Sequence, residues 1–163
     1  MKKIIITRPM KASFIGVALL TSILALNAQA HCQIPCGIYD DAARFTSMRE
    51  HVTTIEKSMN EITKLSTTAE HNPNKIVRWV NNKEEHADKL TKIVTYYFLA
   101  QRIKASEPAE KYEAELKLLH GLMVHAMKAK QTPNLEHVQT LRKLIDEFED
   151  VYSGKSVPAP HTH

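Results

Sequence analysis

Both cysteines of this 163-residue chain fall in one short stretch, His31-Cys32-Gln33-Ile34-Pro35-Cys36-Gly37-Ile38-Tyr39. A chain beginning at His31 would offer a metal an unusual donor set. The α-amino nitrogen of His31 and the amide nitrogen of Cys32 close one five-membered chelate ring. That amide nitrogen and the Cys32 thiolate close another, and the Cys36 thiolate fills a fourth position. Two nitrogens and two sulfurs in a plane suit a d⁸ ion such as Ni(II), and tetragonal nitrogen-rich sites also suit Cu(II). The His31 imidazole can reach an axial position. Pro35 and Gly37 flank the second sulfur and favour a bend, and the Ile34-Pro35 peptide could be cis. A second reading stands beside this one. In an exported protein, Cys32 and Cys36 could oxidise to a small-loop disulfide. The pair has neither the four-ligand spacing of structural zinc nor the C-x-x-C spacing of a redox motif.

The amine matters only if the chain is cut before His31, and residues 1–30 point to such a cut. A basic start (Lys2, Lys3, Arg8, Lys11) precedes an apolar run from Phe14 to Leu26, which ends in Ala28-Gln29-Ala30. This is the order of a secretory signal peptide with an A-x-A site. The apolar run is short for a stable span, which needs ~20 residues, and an uncleaved anchor is the competing reading. Cleavage after Ala30 would deliver the protein to the periplasm or the extracellular space. The charge agrees with this division. The chain carries 22 basic and 18 acidic residues, but the leader holds four of the basic ones and no acid. The remainder balances, so the formal +4 does not indicate a nucleic-acid partner, and no membrane association is expected after cleavage. Four glycines in total argue against a phosphate-binding loop or dinucleotide fingerprint. A hydrophobic content of 43% is enough for a core.

The remainder reads as four helices. From Asp41, Phe45, Met48, Val52, Ile55, Met59 and Ile62 mark one face at steps of three and four. Asp40 or Asp41 can cap its start. Asn72-Pro73 opens a second helix to about Gln101, with Ile76, Val77, Val80, Ala87, Leu90, Val94, Tyr97 and Phe98 facing inward. Ser106-Glu107-Pro108 opens a third, carrying Tyr112, Leu116, Leu119, Met123 and Ala126. Thr132-Pro133 opens a fourth, carrying Val138, Leu141, Ile145, Phe148 and Tyr152, with Gly154 as its stop. The fold class is all-α, an antiparallel up-down four-helix bundle over 40–154 preceded by a metal-binding hook at 31–39. Residues 155–163 read as a loose tail.

The stretch His31-Cys32-x-x-Pro35-Cys36-Gly37-x-Tyr39 resembles the amino-terminal nickel hook of nickel superoxide dismutases. The resemblance implies a four-helix-bundle subunit in a homohexamer, one nickel ion per subunit, and dismutation of superoxide to dioxygen and hydrogen peroxide by Ni(II)/Ni(III) cycling. It implies nickel ligation by the amine and imidazole of His31, the amide nitrogen and sulfur of Cys32, and the sulfur of Cys36. It also implies a gating role for Tyr39, and a channel role for Tyr97 within Tyr96-Tyr97-Phe98. The chain departs from the family pattern at Gln33, where an acid is usual. It departs again at Thr46 and His86, which fall where the family places a Glu and an Arg that support the axial imidazole. Such supports orient a ligating histidine and tune the metal. Glu50, Glu85 or His86 are candidate replacements. The alternative to the enzyme is an exported helical module that holds Ni or Cu, or a disulfide, without catalysis.

Superoxide is an anion, so a positive mouth would speed its arrival. Lys83 and Lys89 are candidates for that role. His51 and His71 read as solvent-facing, His120, His125 and His137 as helix residues without a paired ligand pattern, and His161 and His163 as a weak terminal metal collector. Met48, Met59, Met123 and Met127 read as core packing. Trp79 reads as a residue of the core edge or an interface.

Overall fold

Asp40 starts the first helix by accepting from the Ala43 amide at 2.9 Å, so Asp40 rather than Asp41 is the cap. The computed structural model describes residues 37–67 and 72–155, and the leader and terminal histidines lie outside them. Helix α1 spans Asp41–Thr67, and α2 spans Pro73–Lys92. Asn72 caps α2 by accepting from the Lys75 amide at 3.0 Å, with Pro73 as its first residue, as the sequence predicts. Helix α3 spans Ala109–Gln131 and α4 spans Glu136–Tyr152. Gly154 ends α4 at φ +74°, a conformation that costs glycine little. There the Lys155 amide reaches the Asp150 carbonyl at 2.8 Å and the Gly154 amide reaches Val151 at 3.1 Å, closing a Schellman motif.

Cross-helix pairs fix the directions. On α1 and α4, Arg49 meets Asp146 and Glu149, while Glu56 meets Arg142, so later residues of one face earlier residues of the other. The α1–α2 pairs, Ser58 with Asn82 and His51 with His86, run the same way. The described residues thus form the antiparallel four-helix bundle expected, with no strand among them. Its core is continuous from Phe45, Val52 and Met59 on α1 to Phe148 and Val151 on α4. At the end of the bundle where α1 begins, Phe45, Phe98 and Phe148 pack as an aromatic cluster with ring centroids 4.9 to 5.5 Å apart. Aromatic contacts of this kind add about 0.5–1.5 kcal/mol each beyond burial.

Several sequence expectations are corrected. The second helix does not stay α-helical to Gln101. Beyond Lys92 it continues as a π-helical segment, Ile93–Arg102, closed by an Ile103 amide to Phe98 carbonyl bond at 3.0 Å. Helix α4 starts three residues after Pro133, because Thr132 and Asn134 first turn the chain with side-chain bonds to the amides of Asn134 and Glu136. On α3 the seam is Leu118, Leu119, Leu122, Ala126 and Ala129, and Met123 only packs against its edge. Val77 and Met127 were expected inside but are about half exposed, since each sits on the outer side of its helix. Lys83 is buried, not at a mouth. Its ammonium donates to the Lys130 carbonyl at 2.7 Å, serving the open carboxyl end of α3.

Candidate metal centre

The proposed ligands His31, Cys32 and Cys36 lie outside the described residues, and the description begins at Gly37, directly after the second sulfur. Gly37 has φ +77°, in the left-handed region, where a side chain would be strained. It turns the chain between the proposed donors and Tyr39. The Tyr39 ring then meets two residues of the π-helical segment. It packs edge-on against Tyr97, with centroids 5.9 Å apart and planes at 82°. The Arg102 guanidinium lies over it, 4.5 Å from its centroid. Tyr39 remains 40% exposed, so one side of the ring is fixed while the other faces solvent.

Asp41 organises this end of the bundle. Tyr97 donates its hydroxyl to Asp41 Oδ1 at 2.6 Å. Arg102 donates through Nε to Oδ1 at 3.0 Å and through a terminal nitrogen to Oδ2 at 2.6 Å. Tyr152, from the end of α4, donates to Oδ2 at 2.8 Å. A forked arginine–carboxylate pair is geometrically specific, and here it is reinforced by two phenols. The π-helical turn makes the arrangement possible. In an α-helix, residues five apart point about 140° away from each other. With hydrogen bonds spanning five residues, Tyr97 and Arg102 come onto one side and reach the same carboxylate.

The electrostatics follow. Burial would raise the Asp41 carboxyl, but the hydrogen bonds from Arg102, Tyr97 and Tyr152 outweigh it and hold Asp41 below the usual carboxylate range. Burial and the Asp41 carboxylate push the Tyr97 phenol up to about 12. The same two causes raise Tyr152, and the bond to Asp41 raises Arg102. Tyr97 therefore keeps its proton, and that proton is committed to Asp41. Arg44 adds a further cation, with its guanidinium 4.9 Å from the Tyr97 centroid.

Among the described residues, the candidate supports Thr46, Glu50, Glu85 and His86 are not part of the cluster around Asp41. Thr46 is exposed and bonds back to the Ala42 carbonyl at 3.1 Å. Glu85 pairs with Lys89 at 2.7 Å, and Glu50 is exposed. His86 faces His51, which is half-buried rather than solvent-facing. His125 and His137, expected to be unpaired, lie with ring centroids 5.5 Å apart. Of the sequence-predicted site residues, the structure brings Tyr39 and Tyr97 together. Sequence reasoning missed Asp41, Arg102 and Tyr152. The one available signal was Asp41 beside Asp40, since one carboxylate suffices as a cap.

A family model described as nickel-containing superoxide dismutase matches residues 26–155, most of the chain. No curated protein and no solved structure matches it.

Proposed function

The chain belongs to the nickel-containing superoxide dismutase family, and from that premise we propose that its metal ligands are His31, Cys32 and Cys36 of a chain cut before His31. The protein is a nickel-dependent superoxide dismutase, an oxidoreductase that acts on superoxide. The observation that carries the ligand assignment is the hook sequence lying inside the matched region, five residues after the match begins. The donor set fits the metal, because thiolate and imidazole donors suit nickel and the segment supplies both next to a freed amine. When bound, nickel supplies the one-electron cycling that dismutation needs.

The chain's own residues have separate tasks in this reading. Tyr39, one face fixed and the other open, follows the proposed Cys36 ligand by three residues and orients incoming superoxide with ordered water. Tyr97 acts through Tyr39. Its hydroxyl is bound to Asp41, so it positions the neighbouring ring rather than delivering a proton. Arg44 supplies positive charge beside Tyr97, whereas the charge of Arg102 is offset by Asp41. Export to the periplasm or extracellular space and assembly as a homohexamer belong to the same proposal.

The test is amino-terminal sequencing and metal analysis of protein from its native compartment, with its mass in solution. The reading expects His31 first, one nickel per chain and a hexameric mass. A metal-free chain with a Cys32–Cys36 disulfide and no superoxide-removing activity would favour the non-catalytic alternative.

A further inference from the structure

His51 on α1 and His86 on α2 face each other across the helix pair, with their Nδ1 atoms 3.1 Å apart. The rings are nearly perpendicular, at 74°, with centroids 5.1 Å apart. Along the helices the pair lies ten residues from Asp41 and eleven from Tyr97, about 15 Å at 1.5 Å per residue. It is a separate place in the fold. Nothing in the reading of Tyr39, Tyr97 and Asp41 uses it.

We propose that His51 and His86 form an open two-imidazole site for a divalent late transition-metal ion, such as Zn(II) or Cu(II), with water completing the coordination. The spacing carries the argument. Two nitrogens 3.1 Å apart subtend about 100° at an ion held at ~2.0–2.1 Å, between the square-planar and tetrahedral angles. The separation of the two nitrogens therefore already matches the bite that a chelating pair needs. Burial, then the neighbouring charges, lowers both imidazoles from their ordinary values, so both are neutral and able to ligate at neutral pH. Without metal, one Nδ1 must donate its hydrogen to the other. Ligation requires only that this hydrogen move to Nε2 of the same ring, with no net proton released. Glu50 and Glu85 adjoin the pair on their own helices. Lys89, the nearby cation, is paired with Glu85. Among the described residues no third His, Cys, Asp or Glu completes a ligand group, so the site is open to water.

The proposal does not depend on the hook, and its test removes the hook's sulfurs. The full mature chain carrying Cys32→Ser and Cys36→Ser is titrated with Zn(II), followed by calorimetry and by long-range proton–nitrogen spectra of the imidazoles. The expected result is that the Nδ1 signals of His51 and His86 move together as one Zn(II) binds per chain. His86→Gln and His51→Gln should each weaken that binding at least tenfold, with helical circular dichroism as the check on folding. If either variant fails to fold, the nitrogen signals of the parent protein still decide the matter. The proposal is overturned if both Nδ1 signals stay fixed at millimolar Zn(II) while other histidines shift. It is equally overturned if a folded His86→Gln chain binds Zn(II) undiminished.

Discussion

Arg102 covers the Tyr39 ring at 4.5 Å while the same guanidinium forks onto Asp41. Tyr39 is thus held by a residue from the far end of the second helix, and that residue is held by the first residue of α1. A change at Asp41 should be felt at Tyr39 although the two side chains have different jobs.

Asp41→Asn tests this. It leaves the shape but removes the charge that fixes Arg102 and two phenols. Stability should fall by about 2 kcal/mol, the scale of hydrogen bonds to a charged group. Superoxide-removing activity of nickel-loaded protein should fall about tenfold or more, within the ~10²-fold that a 1 Å misplacement can cost. Urea unfolding and superoxide decay measure the two effects separately. Activity unchanged in a chain destabilised as expected would remove Asp41 from the positioning role.

Arg44 should act on the approach of substrate. Arg44→Glu reverses a charge beside Tyr97, and steering effects of this kind span about 10- to 10³-fold in association rate. The variant is expected to lose activity mainly in kcat/KM, and to show a weaker dependence on salt than the parent. Stopped-flow superoxide decay across ionic strength is the measurement. A loss confined to kcat would place Arg44 elsewhere in the mechanism.

The Tyr97 phenol gives an alkaline signature. Burial and the Asp41 carboxylate raise it from the ordinary phenol value of 10.0 to about 12. A raised group contributes stability that is present below its unfolded value and lost as pH rises through its folded value. The bundle should therefore weaken between about pH 10 and 12, and Tyr97→Phe should flatten that loss. Unfolding measured at steps across this window, in parent and variant, reads the difference.

His51 and His86 give the opposite sign. Both are lowered from 6.5, for His51 chiefly by burial and then by His86 and Lys89. Their contribution is present above the unfolded value and lost as pH falls. The parent should lose more stability from pH 7.5 to pH 5 than a His86→Gln chain does, by urea unfolding at both values. An equal loss in the two would mean that the pair does not couple to folding.

Much of the fold was legible because its signals are local. The spacing of apolar residues in α1 and the Asn72-Pro73 and Gly154 boundaries each act through neighbours in the chain. What was not legible depended on distant partners. Lys83 looks like a solvated charge in Lys83-Glu84-Glu85, and only the end of α3, more than forty residues on, makes it a buried donor. The π-helical turn has no signature in Tyr96-Tyr97-Phe98, and its consequence shows only where Tyr97 and Arg102 both reach Asp41 across the bundle. The pairing of His51 with His86 likewise requires two helices to be in register. At the candidate site the hook motif could be read directly, since its chemistry lies in consecutive residues. The side chains that hold Tyr39 could not.

If the nitrogen freed at His31 ligates nickel, adding one residue before His31 removes that donor. The extended chain should keep its helical circular dichroism and no longer remove superoxide after nickel loading. Full activity with the extension in place, verified by mass, would contradict that ligation.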